Sequence, residues 1–365
     1  MIPLSSPDIR AEDIERVVDV LRTGQLVQGP HVAQLEEATR EYLGTAEAVA
    51  VSSGTATLHL ALRALEVGPG DDVIVPAFSH VATANVVELV GARPVFVDID
   101  LETFNIDVRQ IADKVTPRTR AILPVHEFGL MCDMEEVGKL AERHGLPVVE
   151  DAACALGARL QGVNAGTLGA FGSFSLHPRK AITSGEGGLL TTNDRRLASA
   201  VRALRNHGID PDQANTDFVC AGFNYRLTDF QAALAASQLP RLEAAIERRT
   251  EIAELYRRLL NSPRVRLPSV PPGARHTYQT FHILLDPAVD RPALIANLKA
   301  SGIGSNYGAQ CIPAQTHYRR KYGHDAAREF PRAYRAYTSG LAIPMFEKMS
   351  DDDVAQVAQT LNRLS

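Results

Sequence analysis

The 365-residue chain contains no tryptophan, and its four cysteines, at positions 132, 154, 220 and 311, lie far apart. No two of them have the close spacing of a zinc site or a CxxC redox pair, which favours reduced thiols in the cytoplasm. The 11 histidines show no HExxH or comparable spacing, so we predict no metal site.

Long hydrophobic runs are also missing. No apolar segment approaches the roughly 18 residues of a membrane helix, so no membrane association is expected. The N-terminus, Met-Ile-Pro-Leu-Ser-Ser-Pro, has no basic stretch followed by an apolar run and does not resemble a signal peptide. We therefore expect a cytoplasmic protein.

The chain has fewer basic than acidic residues, with 38 Lys and Arg and 43 Asp and Glu, and its formal net charge is −5. Phosphate backbones require clustered Lys and Arg, so nucleic acid is not expected as a partner. Hydrophobic residues make up 45% of the chain and charged residues 22%, which is the usual composition of a soluble globular protein.

Short apolar segments alternate with helix-length segments between residues 48 and 200. Those at 48–51, 73–75, 94–97, 121–125, 147–149 and 171–174 have the character of buried strands. The alternation predicts an α/β domain with a mostly parallel central sheet.

A long amphipathic segment, Leu239–Leu260, is followed by a proline cluster typical of a boundary. We expect a large domain at residues 1–245 and a smaller C-terminal α+β domain at residues 246–365, with a strand at Tyr278–Leu285.

Three segments carry candidate chemistry. The first, Ser53-Gly54-Thr55-Ala56, lies between a predicted strand and a predicted helix. Free N–H groups at a helix N-terminus, together with hydroxyls, form an anion site, although the same residues also suit an ordinary helix cap.

The second segment contains Asp151, at the carboxyl end of a predicted parallel strand, where ligands bind in such folds. Alone, this carboxylate could serve a metal, a ribose or a pyridinium nitrogen.

The third segment contains Lys180, five positions after Ser175 and just before the turn Gly185-Glu186-Gly187-Gly188. Most lysines are solvated, but glycines here permit close approach of the backbone. Together the three segments supply a phosphate site, a carboxylate for a pyridine nitrogen and a lysine for a Schiff base. This combination predicts pyridoxal 5'-phosphate (PLP) as the cofactor, in the chain order of fold-type I PLP enzymes.

Over nearly its whole length the sequence resembles the DegT/DnrJ/StrS family of PLP-dependent sugar aminotransferases. The resemblance rests on a set of short motifs, each weak alone but specific in combination: Ser53-Gly54-Thr55, Val97–Asp100, Pro124-Val125-His126, Glu150-Asp151-Ala152-Ala153, Ser175–Lys180, Gly185–Gly188 and Gly222–Asp229. It implies a fold-type I PLP-dependent transferase that forms a homodimer with shared active sites.

The resemblance also implies residue roles. Lys180 binds the cofactor and shuttles the proton, and Asp151 pairs with the pyridinium nitrogen. The phosphate is held by Ser53, Gly54, Thr55, Ala56 and Ser175, with Asn224 reaching it from the partner subunit. His80 stands where the family usually places an aromatic residue that stacks on the cofactor, with Phe78 as a weaker candidate. Cys154 occupies the usual His or Gln position near the cofactor hydroxyl.

The loop Ser305–Pro313, continuing to Tyr318, matches the family's substrate-facing loop, although it could also be an ordinary surface loop. The residues expected to face substrate are His177, Glu186, Arg226, Tyr307 and His317. The implied reaction transfers an amino group from an amino acid, with L-glutamate as the expected donor, to a nucleotide-linked 4-keto or 3-keto 6-deoxyhexose.

Four other functions are compatible with parts of this sequence. A sugar 3-dehydratase has histidine in place of the lysine, so Lys180 disfavours it. A catalytically idle regulatory or scaffold homologue is disfavoured because both Asp151 and Lys180 are present. An NAD-dependent enzyme lacks support because no GxGxxG follows the first strand. A keto-cyclitol acceptor without a nucleotide stays open.

Overall fold

The computed structural model describes residues 1–210 and 215–364. The helices are α1 (Ala11–Thr23), α2 (Pro30–Leu43), α3 (Gly54–Ala64), α4 (Ala82–Leu89), α5 (Met134–His144), α6 (Arg195–Arg205), α7 (Asp229–Gln238), α8 (Leu242–Leu259), α9 (Arg291–Ala300), α10 (Thr316–Tyr322), α11 (Ala326–Glu329), α12 (Pro331–Ser339) and α13 (Asp351–Leu364). Among the described residues, no helix is long and apolar enough to cross a membrane.

The strands are β1 (Glu47–Val51), β2 (Asp72–Pro76), β3 (Phe78–Ser79), β4 (Arg93–Val97), β5 (Thr119–Ile122), β6 (Val149–Asp151), β7 (Arg159–Leu160), β8 (Val163–Asn164), β9 (Phe171–Ser175), β10 (Gly188–Thr192), β11 (Val265–Arg266), β12 (Ala274–Arg275), β13 (Phe281–Leu285), β14 (Gln310–Cys311) and β15 (Gly340–Ile343).

Two groups of strands form the central sheet. One runs in the order β1-β10-β9-β6, with β10 antiparallel to both neighbours and β9 parallel to β6. The other, β4-β2-β5, is parallel. Parallel bridges from Ile122 to Val148 and from Val125 to Asp151 join the groups into one sheet, β1-β10-β9-β6-β5-β2-β4. The predicted α/β domain with a mostly parallel sheet is confirmed.

Helices cover both faces of this sheet, because successive side chains of a strand point to opposite faces. In β2, Val73 and Val75 belong to the core on the face covered by α3 and α4. Ile74 belongs to the other core, which also includes residues of α2, α5 and α7. Strand β2 is therefore buried on both faces, and its residues 73–75 form a continuous apolar run.

A third core lies in the C-terminal part of the chain, around the antiparallel sheet β11-β13-β15 and helices α8, α9 and α13. Helix α8 passes from one core to another, since Ile246 packs in the large-domain core and Ile252 in the C-terminal core. The domain boundary near residue 245 stays a prediction. The C-terminal region is not wholly separate, because Cys311 and Phe330 pack into the large-domain core.

Some predicted boundaries shift for local reasons. The strand predicted at Tyr278–Leu285 begins at Phe281, because Tyr278 has a φ of 47°, which is incompatible with an extended strand. The helix α5 begins where the Asp133 carboxylate accepts a hydrogen bond from the Glu136 N–H, and it ends at Gly145 with a φ of 63°.

Candidate active site

The residues that carry the predicted chemistry meet where several strands of the central sheet end. Ser53 follows β1, Asp151 ends β6 and Ser175 ends β9, while Lys180 lies on the loop that leads from β9 to β10. A cleft beside them is lined by His80, Glu127, Cys154, Arg179 and Lys180, and also by Gln279, Asn306, Gln310 and Met345. This edge of the sheet is the usual ligand site in such folds.

The turn before α3 is shaped to receive an anion. Ser53 Oγ accepts a hydrogen bond of 3.1 Å from the Ala56 N–H and so caps the helix, while Thr55 is exposed. The N–H groups of Gly54 and Thr55 belong to the first turn, where amides have no partner within the helix. A Cβ added to Gly54 would lie 2.8 Å from Ser175 Cβ, so only glycine permits this close approach. The turn therefore presents free donors and a hydroxyl beside Ser175, as a phosphate requires.

Asp151 is a buried carboxyl at the end of β6, with only 5% of its surface exposed. Thr83 Oγ1 donates to Asp151 Oδ2 at 2.9 Å, and the Ala153 N–H donates to Oδ1 at 3.2 Å. Burial is the largest influence and raises the pKa of Asp151, although these donors and the Lys180 charge act in the opposite direction. A cationic N–H placed beside it would stabilise the carboxylate, which is what a protonated pyridine nitrogen provides.

Lys180 points its amine at a thiol. The Lys180 Nζ lies 3.0 Å from Cys154 Sγ, and the Lys180 backbone N–H donates to the His177 carbonyl at 2.8 Å. Cys154 is half-buried, and desolvation raises the pKa of its thiol, so that the sulfur is neutral at neutral pH. The amine thus has a soft, uncharged neighbour inside the cleft.

Of the two candidates for stacking, His80 is at the cleft and Phe78 is not. The Ala82 N–H donates to His80 Nδ1 at 3.2 Å, which fixes the imidazole at the start of α4. Desolvation lowers the pKa of His80, and the nearby charges of Lys180 and Arg179 lower it further against the opposing effect of Asp151. Phe78 is fully buried among Phe104 and Phe128.

The segment that carries Asn224 and Arg226 runs beside the end of β1, where the Ser52 N–H donates to the Tyr225 carbonyl at 2.9 Å. Arg226 Nη1 donates to Asn206 Oδ1. Asn224 is exposed.

The other residues expected to face substrate lie at different places. His177 precedes Lys180, and its Nδ1 accepts from the Arg179 N–H at 3.2 Å. Glu186 is exposed in the glycine-rich turn. Tyr307 is 47% exposed and stacks on Arg291 with 4.3 Å from Cζ to the ring centroid, while His317 Nε2 lies 2.7 Å from Glu88 Oε2. In the described ranges, the residues of the 305–313 loop that line the cleft include Asn306 and Gln310.

Sequence reasoning missed a buried pair behind the site. His126 Nε2 lies 2.9 Å from Glu150 Oε2, and the Cys132 N–H donates to His126 Nδ1 at 3.2 Å. Since Nδ1 accepts, the proton of the neutral ring is on Nε2 and is donated to Glu150. Glu150 also accepts from the N–H groups of Gly166, Leu168 and Gly169. Burial acts to raise the pKa of Glu150, but these hydrogen bonds outweigh it and lower the pKa.

Thr83 and Glu127 were also missed. Glu127 is 5% exposed, lines the cleft and directly follows His126. The signal was present in the sequence, because Glu127 follows a predicted parallel strand just as Asp151 does. Thr83 could not be found in this way, since its contact with Asp151 joins residues 68 positions apart.

The donors and acceptors on these residues fit PLP. The capped turn at Ser53–Ala56 suits its phosphate, the buried Asp151 suits its ring nitrogen, and Lys180 is placed to bind its aldehyde carbon. A cofactor of this kind supplies an electron sink for reactions at the α-carbon of an amino acid.

Comparison with known proteins agrees. The sequence profile of the DegT/DnrJ/EryC1/StrS aminotransferase family matches residues 7–362. The chain is 36% identical to the GDP-perosamine synthase of Caulobacter vibrioides, covering 100% of this chain and 98% of that protein. It is also 36% identical to the UDP-4-amino-4-deoxy-L-arabinose–oxoglutarate aminotransferase of Shewanella sediminis, again covering 100% and 98%.

Solved structures give the same result. Spr1654 of Streptococcus pneumoniae, a proposed sugar aminotransferase solved in its PLP form, is 31% identical, with a TM-score of 0.94 and coverage of 100% of this chain and 98% of that one. PseC of Helicobacter pylori, an aminotransferase of pseudoaminic acid biosynthesis, is 27% identical with a TM-score of 0.94 and the same coverage. The chain therefore belongs to the DegT/DnrJ/EryC1/StrS aminotransferase family and is a PLP-dependent aminotransferase of fold type I.

Proposed function

We propose that this aminotransferase moves the amino group of L-glutamate to a nucleotide-linked keto sugar, a 4-keto or 3-keto 6-deoxyhexose, in amino-sugar biosynthesis. The observation that carries the proposal is the composition of the cleft beside Lys180. Neutral amide side chains, Gln279, Asn306 and Gln310, line the same cleft as Lys180. Amides both donate and accept hydrogen bonds, as the hydroxyls of a sugar ring require.

Charge in the cleft fits the remainder of such substrates. Arg179 lines the cleft next to Lys180 and is exposed, so it can bind an anion. Guanidinium groups pair well with carboxylates and phosphates, which glutamate and a nucleotide sugar both carry. The relatives support a nucleotide-linked acceptor, because GDP-perosamine synthase and the UDP-4-amino-4-deoxy-L-arabinose enzyme are named for nucleotide sugars.

Each residue then has a defined task. Lys180 would hold the cofactor through its Nζ, and the same Nζ, when free, would carry a proton to and from the α-carbon of the donor. Asp151, held by Thr83, keeps the pyridine nitrogen protonated. Ser53, Gly54, Thr55, Ala56 and Ser175 hold the phosphate. The second half of the reaction reverses these steps on the sugar ketone, with Lys180 returning the proton.

His80 would pack on the ring of the cofactor, and Cys154, which lies beside the Lys180 amine, would contact the cofactor hydroxyl. Around the sugar and the donor we place His177, Glu186, Arg226, Tyr307 and His317. In this structure Tyr307 contacts Arg291 and His317 contacts Glu88. These two residues would reach the cleft only through a rearrangement of the 305–318 segment or through a partner subunit.

The working form is proposed to be a homodimer in which Asn224 reaches the phosphate of the partner's site. Its exposure, on a segment that runs beside the end of β1, supports this role. A cytoplasmic location fits the absence of disulfides among the described residues, where Cys132, Cys154, Cys220 and Cys311 are all free thiols.

The first experiment is the visible absorption spectrum of the PLP-loaded protein before and after addition of L-glutamate. Wild type should show the yellow band of the lysine-bound cofactor and lose it on amino transfer, whereas Lys180→Ala should do neither. Lys299→Ala, which removes an exposed lysine on α9, is the matched control and should behave as wild type.

The amino-loaded enzyme is then mixed with nucleotide-linked 4-keto and 3-keto sugars and with a keto-cyclitol, and the return of the yellow band is followed. Return with a nucleotide sugar supports the proposal. If the yellow band returns only with the keto-cyclitol, the proposed nucleotide-sugar acceptor is wrong. If glutamate leaves the spectrum unchanged, the proposed donor is wrong.

A further inference from the structure

Gln310 lines the cleft beside Lys180, and its side-chain carbonyl has no hydrogen-bond partner among the described residues. The Oε1 atom is buried, although the residue as a whole is half-buried. A buried acceptor without a donor destabilises a folded protein, so native structures contain few of them. In a cleft that receives substrate, a donor group on the substrate can complete this hydrogen bond.

The two other amide side chains that line the cleft, Gln279 and Asn306, already have protein partners. Gln279 Nε2 donates to the Arg179 carbonyl at 2.9 Å, and Gln279 Oε1 accepts from Thr280 Oγ1 at 3.1 Å. Asn306 Oδ1 accepts from a backbone N–H two residues further along the chain at 2.9 Å. These amides fasten segments of the protein to one another, whereas the Gln310 oxygen makes no such contact.

The backbone directs Gln310 into the cleft. Gln310 and Cys311 form β14, which pairs antiparallel with β3 so that Gln310 stands opposite Ser79. Successive side chains of a strand point to opposite faces, and Cys311 packs into the large-domain core. The Gln310 side chain therefore lies on the other face, on the same side as that of Ser79.

Ser79 connects this position with the residues expected to hold the cofactor. Ser79 Oγ lies 3.0 Å from Thr83 Oγ1, and Thr83 Oγ1 donates to Asp151 Oδ2 at 2.9 Å. His80, the residue after β3, also lines the cleft. Because β14 is paired with β3, Gln310 is held in a strand next to these residues, and a strand positions a substrate-binding side chain more precisely than a free loop does.

We propose that Gln310 is a specificity-determining residue whose free Oε1 accepts a hydrogen bond from a ring hydroxyl of the acceptor ketone. The inference rests on the proposed function, since it requires a hydroxylated keto compound in the cleft. A hydroxyl donates one proton to the carbonyl, whereas a methylene at the same place leaves the oxygen buried without a donor. Gln310 thus selects the hydroxylated acceptor against its deoxy analogue.

The expected amino donor does not suit this oxygen. The two carboxylates of L-glutamate only accept hydrogen bonds, and its single donor group is the amine that reacts. Gln310 should therefore influence the half-reaction with the ketone and leave the half-reaction with glutamate unchanged. A purely structural role would affect both halves.

The test uses Gln310→Met, which keeps the length of the side chain and removes its polar atoms. A ketone that restores the yellow band of the amino-loaded enzyme is compared with analogues that each lack one ring hydroxyl. Wild type should favour the parent ketone over one of these analogues by about 10-fold in kcat/KM, the effect of one hydrogen bond. Gln310→Met should lose this preference and react with glutamate as wild type does.

Gln359→Met, at an exposed position on α13, is the matched control and should keep the preference. Equal preferences of wild type and Gln310→Met for every hydroxyl would overturn the proposal. If the accepted ketone is a keto-cyclitol, the nucleotide-sugar acceptor is wrong, and the same comparison with deoxy-cyclitols still decides the role of Gln310. If no ketone restores the band, the proposed function fails, and the role of Gln310 fails with it.

A second measurement needs no ketone. Gln310→Met should raise the Tm of the PLP-loaded enzyme by about 2 °C, because it removes a buried acceptor that has no donor. Gln279→Met, which breaks two existing hydrogen bonds, should lower the Tm. A lower Tm for Gln310→Met, or a higher Kd for PLP, would show that the protein or the cofactor already supplies a donor, and the proposal would be wrong.

Discussion

Cys154 Sγ lies 3.0 Å from Lys180 Nζ, so the lysine proposed to bind the cofactor has a thiol within hydrogen-bonding distance in the cleft. The sequence resemblance implies that His or Gln is the usual residue at this position. A thiol is a weak donor and, with its pKa raised by desolvation, it is neutral at neutral pH. The contact therefore adds no negative charge next to the amine.

This contact predicts low reactivity for Cys154 toward alkylating agents. The thiolate is the nucleophile, and a raised pKa leaves little thiolate at neutral pH. Exposed Cys220 should react first with iodoacetamide, and Cys132, Cys154 and Cys311 should lag behind it. Mass spectrometry of the labelled peptides measures the order. Labelling of Cys154 as fast as Cys220 would show that its sulfur is ionised in the protein.

Asp151→Asn should lower kcat by about 100-fold or more, because an amide cannot hold the pyridine nitrogen in its protonated form by charge. The KM for the donor should change much less, since the proposed role of Asp151 is to contact the cofactor and not the donor. Steady-state kinetics of both variants test this, with Asp113→Asn, an exposed carboxylate, as the control. Equal kcat values for Asp151→Asn and wild type would remove Asp151 from the assigned role.

Gly54→Ala should weaken cofactor binding. The added Cβ would lie 2.8 Å from Ser175 Cβ, so the turn and the end of β9 must move apart and the phosphate donors with them. We expect the Kd for PLP to rise about 10-fold, equivalent to about 1.4 kcal/mol. Spectroscopic titration with PLP measures it.

Gly138→Ala is the matched control for this glycine, because a Cβ at Gly138 on α5 meets nothing within 4 Å. It should leave the Kd unchanged and should stabilise the helix slightly. Similar Kd values for the two alanine variants would mean that the close approach at Gly54 is not needed for the phosphate.

His282 should make the protein less stable in mild acid. It is buried against Phe128, both ring nitrogens lack hydrogen-bond partners, and burial lowers its pKa to about 3. The unfolded chain binds a proton near pH 6.5 and the folded chain does not, so stability falls as the pH drops from 6.5 toward 3. By pH 5 this histidine alone should account for about 2 kcal/mol of lost stability.

His282→Phe removes the titration, so the difference in free energy of unfolding between pH 7 and pH 5 should shrink by that amount. Urea denaturation at both pH values measures the difference, which is independent of any constant packing cost of the larger ring. His276, whose pKa burial also lowers to about 3, keeps part of the effect in the variant. His144→Phe, at an exposed site, is the control. An unchanged difference in His282→Phe would show that this imidazole is not held neutral.

The sequence alone determined the central fold and the cofactor. Apolar strand segments such as 73–75 depend on local residue patterns, so they can be recognised without a structure. The phosphate turn, Asp151 and Lys180 each follow a strand, and parallel strands of a sheet end at one edge, so their convergence also follows from the pattern. Glu127 follows another such strand, so the same rule could have identified it as a site residue, although the sequence analysis did not.

Tertiary structure alone decided contacts between distant segments. Three contacts join residues that are far apart in the sequence, so no helix or strand periodicity predicts them. They are the hydroxyl chain from Ser79 and Thr83 to Asp151, the Cys154 thiol beside Lys180, and the pairing of His317 with Glu88. Which residues of the 305–313 loop face the cleft was decided in the same way, because the direction of a loop side chain depends on the packing around it. Sequence patterns record which face an element buries, whereas side-chain hydrogen bonds depend on the distances that the completed packing sets.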